Sequence, residues 1–196
     1  MKKRSFLLFF LLSATITLSA QKFKVTQGSL SPLKGETAFN IQFTYDKMIV
    51  GSKMESQYIA EKTADYNKKE PGRGDSWAKA WVDDRENLFE PKFLELFNKY
   101  GKLSIVNEPQ KYTLIFNTSF TEPGYNIGIS RSNAYISGTV TIVETEKPSK
   151  VIAKISIEKA PGSTFGGYDF ATGPRISEAY AITGKKLPGF MIKQMK

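Results

Sequence analysis

The sequence predicts an α+β fold: a single two-layer domain whose mixed, mostly antiparallel sheet carries helices packed on one face. Three observations predict it. An early stretch, residues 39–45, alternates apolar and polar residues; two helical stretches separate it from a later group of β-type segments; and a last helical stretch closes the chain. A sheet interrupted by helices in this order buries its apolar face beneath them, which gives two layers.

In the early stretch Phe39, Ile41, Phe43 and Tyr45 fall on one side with polar residues between them, the period of a half-buried strand. Phe23 and Val25 start a shorter strand before it. Ser52 and Glu55 stand three apart, as in a capping box, and a helix follows to about Lys69, where Pro71 and Gly72 stop it. The second helix opens at Asp75 or Ser76, either able to cap, and runs to Leu88. Pro91 has no N–H and clashes with the preceding turn, so a kink or break is expected there. The helix then continues to Tyr100, with Gly101 at the place of a C-terminal cap.

Four β-type segments follow, at residues 103–106, 112–120, 134–143 and 151–157. In the second, Tyr112, Leu114, Phe116 and Phe120 share one parity and so one predicted face. Pro123-Gly124 and Pro148-Ser149 mark turns. A loop rich in glycine and aromatics, residues 160–173, leads into a final helix at Pro174. Its Leu187, Phe190, Met191 and Met195 recur at helical spacing beside Lys185, Lys186, Lys193 and Lys196. That pattern fits a terminal helix docked by its apolar side, or a basic amphipathic helix making peripheral contact with an anionic membrane. Pro188-Gly189 is expected to interrupt either version.

The N-terminus reads Lys2-Lys3-Arg4, an apolar run over residues 6–12 and a small, polar tail to Ala20, which is the layout of a secretory signal peptide. The apolar run is short of the roughly 20 residues that span a bilayer. The expected arrangement is a signal peptide at 1–20 and a single domain at 21–196, exported to the periplasm or beyond. There is no cysteine, so a cysteine-anchored lipoprotein is not expected, and no other segment is long enough to be transmembrane. The leader holds three of the 28 basic residues and none of the 19 acidic ones. The remaining surplus is modest and dispersed, unlike the concentrated basic stripe of a nucleic-acid reader, so no nucleic-acid partner is expected.

With neither histidine nor cysteine, the chain cannot hold a Ser-His-Asp triad, a thiol nucleophile or a histidine zinc site. A non-enzyme without cofactor is the expectation. The alternative is a carbohydrate-active enzyme working through two carboxylates across a cleft. Asp83 and Asp84 diverge by about 100° on a helix and cannot face one bond. Glu144 and Glu146 share a strand face but flank a turn, as exposed hairpin residues do.

Three groups of residues invite a binding reading. Trp77, Trp81 and Arg85 stand at four-residue spacing, with Arg85 in reach of the Trp81 ring as a cation–π partner. They suit a ligand platform or a buried helix face, and the apolar run Leu88, Phe89, Phe93, Leu96 and Phe97 beyond them favours the buried face. Phe165, Tyr168 and Phe170 in the glycine-rich loop suit ligand stacking or packing over a sheet edge. Arg73, Gly74 and Asp75 spell an integrin-binding tripeptide, which needs an exposed, bendable loop to act.

The motif Trp77, Trp81, Arg85, followed by Phe89 and Phe93, the strand series over residues 134–157 and the closing helix entered through a glycine-rich loop, resembles exported proteins of unknown function from Bacteroidetes-type bacteria. In outline it also resembles the small α/β domain of the amino-terminal part of TolB and of outer-membrane lipoproteins that assist envelope assembly. The resemblance implies a non-catalytic binding or scaffolding module of the cell envelope, with an envelope protein or polymer as partner. The chain departs from the lipoprotein branch in lacking the lipid-bearing cysteine.

Overall fold

The computed structural model describes residues 21–127, 130–164 and 171–196. The expected signal peptide and the loop aromatics Phe165, Tyr168 and Phe170 lie outside the described residues.

In chain order, β1 (Lys22–Gly28) and β2 (Ala38–Thr44) precede a short hairpin of β3 (Ile49–Val50) and β4 (Lys53–Met54). Helices α1 (Glu55–Lys69), α2 (Arg73–Asp84) and α3 (Glu90–Tyr100) follow, with a π-helical turn at Arg85–Phe89 joining the last two. Then come β5 (Ser104–Ile105), β6 (Tyr112–Glu122), β7 (Tyr125–Asn126), β8 (Arg131–Ser132), β9 (Tyr135–Glu144) and β10 (Lys147–Pro161), and α4 (Gly173–Gln194) closes the chain. The main sheet runs β1-β10-β9-β6-β2-β5, with β3 beside the far half of β6. Its pairings are antiparallel from β1 to β6 and parallel where β2 and β3 meet β6 and where β5 meets β2. It is the mixed, mostly antiparallel sheet that the sequence predicts.

Period-two patterning sets which face is covered. Phe39 of β2, Leu114 and Phe116 of β6, Ile136, Val140 and Ile142 of β9, and Ile155 and Ile157 of β10 are all buried. Over them lie Phe93 and Phe97 of α3 and Tyr180, Leu187 and Met191 of α4. Phe43 and Phe116 meet Phe93 at centroid distances of 5.4 and 5.5 Å, and Phe89 stacks on Tyr180 at 5.0 Å. Helices α3 and α4 approach closely because Gly184 has no side chain: a Cβ there would lie 2.3 Å from the Phe93 carbonyl oxygen.

Several local expectations are corrected. Ser52 does not cap α1; it sits in the β3–β4 turn, the N-cap position is Met54, and Glu55 is used in tertiary contacts. Helix α2 starts at Arg73 rather than at Asp75 or Ser76, because Gly72 takes φ 80° to turn the chain and Asn67 of α1 accepts the Gly74 N–H at 2.7 Å. The break expected at Pro91 is a widened turn instead. Proline leaves the carbonyl of the residue four before it without a donor, and the π turn ahead of it, with the Glu90 N–H bonded to the Arg85 carbonyl, keeps the helix continuous.

Gly101 is extended, at φ −97° and ψ 159°, so it forms no left-handed cap; it makes room for Pro188, whose Cβ would lie 2.6 Å from an added Cβ. Pro188 does not interrupt α4, which runs through it with packing on both sides. The turn before β10 is Thr145-Glu146, while Pro148 lies in the irregular stretch between the pairs Lys147↔Glu144 and Val151↔Val143, where the ladder needs no donor from it. Leu187, Met191 and Met195 are buried, and Phe190 stacks on Phe23 at 5.3 Å. The membrane-contact version of α4 thereby loses its apolar face to the core. Among the described residues no helix is long and apolar enough to cross a membrane.

Candidate functional site

Trp77 and Trp81 form no platform: they are 3% and 6% exposed and pack with Tyr58 and Tyr66 between α1 and α2. The Trp81 indole N–H donates to Glu55 at 2.6 Å, and Arg85 forms an ion pair with the same carboxylate. Arg85 lies over the Tyr45 ring at 4.1 Å, rather than over Trp81. The Tyr45 hydroxyl in turn donates to Glu90 at 3.1 Å, and its ionisation is pushed upward, first by burial and then by neighbouring Tyr180 and Glu90. This chain of contacts fastens the start of α1 to α2 and to the π turn. Its job is structural.

The tripeptide Arg73, Gly74 and Asp75 is the first turn of α2. Gly74 is buried where α1 crosses, since a Cβ on it would lie 2.0 Å from the Thr63 carbonyl oxygen. Arg73 pairs with Glu70 at 3.6 Å, and Asp75 accepts from Asn67 at 3.3 Å. A helical turn wedged against another helix lacks the bendable presentation that adhesion requires.

Of the candidate carboxylates two are ion-paired and a third is partly buried. Asp83 pairs with Lys79, and Asp84 packs against Gly173 at the start of α4, its carboxyl held above the usual range mainly by burial and further by Asp83. Glu144 pairs with Lys150 beside the hairpin turn. Among the described residues no three metal-ligating side chains cluster.

The surface left over is the other face of the sheet, on which no described helix packs. Its centre is Ser137 of β9, where two β-bulges meet. On one side Thr118 pairs with Gly138 and Phe120 with Ser137, which leaves Ser119 as an extra residue in β6. On the other, Ile157 pairs with Gly138 and Ala160 with Ile136, so Glu158 and Lys159 both stand opposite Ser137. Lys159 adopts φ 48°, uncommon for a residue with a side chain. Its N–H donates to the Ser137 hydroxyl at 3.0 Å, and the Ser119 hydroxyl donates to the Ser137 carbonyl at 3.4 Å.

A bulge changes which face the following residues occupy. Beyond Ser119, Thr121 turns into the core at 3% exposure and Phe120 turns out, contrary to the alternation read from the sequence. Phe120 stacks on Tyr135 at 5.3 Å and 18°, and the Lys159 ammonium lies 6.0 Å from the centroid of the Tyr135 ring. Ile49 pairs with Phe120, and Met54 with Ile49; both are exposed, at 40% and 48%. Cross-strand partners project to the same side, so Met54, Ile49, Phe120 and Tyr135 make an apolar ridge across four strands.

Away from the ridge the face is mostly polar, with Ile115 of β6 and Val143 of β9 as apolar residues among its outward positions. Asn40, Gln42 and Thr44 of β2 stand beside Thr113 and Asn117 of β6, with the Thr44 hydroxyl donating to Asn117 at 3.1 Å. Thr139 and Thr141 continue it on β9, and Lys22, Lys24 and Lys154 close it at the β1–β10 edge. A hollow of about 380 Å³ lined by Lys22, Ser137, Glu158 and Lys159 lies where ridge and edge meet. The face offers hydroxyls, amides and ammonium groups beside an apolar strip. Sequence reasoning missed it because nothing marks Ser119 as an insertion; the break from Ile157 to Ala160 across two charged residues was the one readable signal.

No family model matches the chain, and no curated protein matches it significantly. Among solved structures, a PelC dodecamer from Paraburkholderia phytofirmans is similar at 9% identity and a TM-score of 0.35, covering 83% of this chain and 96% of that one. A variant of the same protein gives 11% and 0.34 over the same shares. A Xanthomonas campestris protein of the DUF330 family is similar at 11% identity and a TM-score of 0.36, covering 86% of this chain and 92% of that one.

Proposed function

We propose that the chain is a non-catalytic binding or scaffolding module of the bacterial cell envelope, exported to the periplasm or beyond, which engages an envelope protein or polymer through the uncovered face of its sheet. The observation that carries this reading is the pair of bulges meeting at Ser137. Bulges interrupt the ladder and recur where a strand must re-aim a side chain for a task other than packing. Here they set Phe120, Tyr135 and Lys159 on one open surface. The signal-peptide pattern, the lack of histidine and cysteine, and the resemblance to envelope-assembly proteins support the same reading.

The absence of native cysteine makes the test clean. Thr141→Cys on the open face and Lys186→Cys on the helical side are each coupled to a bulky maleimide, and retention of the protein by envelope fractions is measured. Blocking position 141 should abolish retention and blocking 186 should leave it intact. Equal retention of the two conjugates would contradict the assignment of the face.

A further inference from the structure

We infer that the open face takes an acidic polysaccharide, a polymer of sugar rings bearing carboxylates. This rests on the binding-module reading above and narrows it to a class of ligand. The first support is charge. Lys22 and Lys24 of β1 and Lys159 of β10 are exposed, and Lys154 is half-buried. Lys24 stands opposite Ser156, Lys154 lies between Gln27 and Thr141, and none of the four forms an ion pair among the described residues. Lys22 and Lys24 project to the same side about 7 Å apart along the strand, and the only acid in register with them is Glu158, opposite Lys22. The edge thus groups several ammonium groups with a single facing acid, a strip that suits a row of carboxylates.

The second support is what lies between that edge and the ridge. Ser137, Thr139 and Thr141 of β9 and Ser156 of β10 present hydroxyls in alternate positions along adjacent strands. Hydroxyls both donate and accept, which matches the hydroxyl groups of a sugar ring. The core of a protein–protein interface has the opposite composition, depleted in lysine and serine. Binding to a membrane surface would need an apolar helix face or insertion beside the cations, and the neighbours of Lys24 and Lys154 on the adjacent strands include the hydroxyl residues Ser156 and Thr141. Stacking of nucleobases requires a free aromatic face, but Tyr135 has Phe120 against one side of its ring and the Lys159 ammonium near it as well.

Binding of the protein to polygalacturonate is measured at low ionic strength and at about 0.15 M salt, with dextran, poly(dT) and phosphatidylglycerol vesicles as comparators. Polygalacturonate should bind saturably, and the other three at least about tenfold more weakly. Combined Lys22→Glu, Lys24→Glu and Lys154→Glu substitutions should weaken it by about tenfold or more, and the milder Lys→Gln set should do so by a smaller factor. Thr139→Val with Thr141→Val, which leaves every charge in place, should also weaken it several-fold, a loss that charge attraction alone does not produce. Equal binding of poly(dT) or of the vesicles, or no effect of the threonine substitutions, would overturn the inference. If polygalacturonate fails while the Thr141 conjugate still loses envelope retention, the ligand class falls and the binding face stands; if both fail, both fall.

Discussion

On β9, Ile136, Val140 and Ile142 point into the helical layer and are fully buried, while Tyr135, Thr139 and Thr141, one position away on the same strand, point outward and remain half-exposed. The contrast is weaker on β6, where Leu114 and Phe116 face in while Thr113 and Asn117 face out together with the apolar Ile115. Packing density fixes the inner set, since a close-packed interior tolerates neither voids nor added volume. The outer set has no such constraint. Its hydroxyls, its lysines and its two bulges are therefore available for a task other than folding, and the difference between the faces can be broken from either side.

The largest effect belongs to the covered face. Phe93→Ala removes a ring that contacts Phe43, Phe97 and Phe116, and should cost about 3–5 kcal/mol. At about 2–4 °C per kcal/mol for a chain of this size, thermal melting should show a fall of roughly 10 °C, with envelope retention of the folded fraction unchanged. Next is the crossing of α1 and α2. Gly74→Ala sets a methyl group 2.0 Å from the Thr63 carbonyl and should destabilise by about 1–3 kcal/mol in denaturant titration. Asp75→Glu should do much less, and integrin-bearing cells should adhere to the wild-type protein no better than to that variant.

On the open face the order of effects reverses. Thr139→Val should leave melting within about 0.5 kcal/mol of wild type while reducing partner retention, and the same change in both would remove the distinction between the faces.

The smallest effect is a pH dependence at Asp84. Its carboxyl is raised in the folded state by burial and by Asp83, so the folded protein binds the proton more tightly than the unfolded chain does. Stability therefore falls as pH rises from the ordinary carboxylate range through the raised folded value, and the penalty is complete above it. Asp84→Asn should gain stability at pH 7 and none at pH 3; an equal gain at both would assign the effect to packing.

Much of the fold is legible because apolar period is a strong signal. Phe39, Ile41 and Phe43 identify β2, and Leu187, Met191 and Met195 identify the docked side of α4. What escaped is set by tertiary contact. Ser52 and Glu55 have the spacing of a capping box, yet Glu55 is claimed by Trp81 and Arg85 from another helix. Gly101 looks like a cap but is a point of close approach to Pro188. Asn67, which holds the Gly74 N–H, carries no sign in the sequence of that role.

The candidate site was harder to read for a related reason. The conspicuous residues Trp77 and Trp81 are large and apolar, which is also what a helix interface needs, and the structure uses them there. The residues that make the open face are threonines, serines and lysines at ordinary strand spacing. Phe120 shares the parity of Leu114 and Phe116, and only the unmarked insertion of Ser119 turns it outward.

The most direct test of one face for folding and the other for recognition is a protection footprint. Single cysteines at Thr139, Ser156, Glu178 and Lys186 are reacted with a small maleimide with and without saturating envelope fraction. Labelling should slow at 139 and 156 and stay unchanged at 178 and 186. Protection of 178 and 186 with 139 and 156 left reactive would contradict that division of the faces.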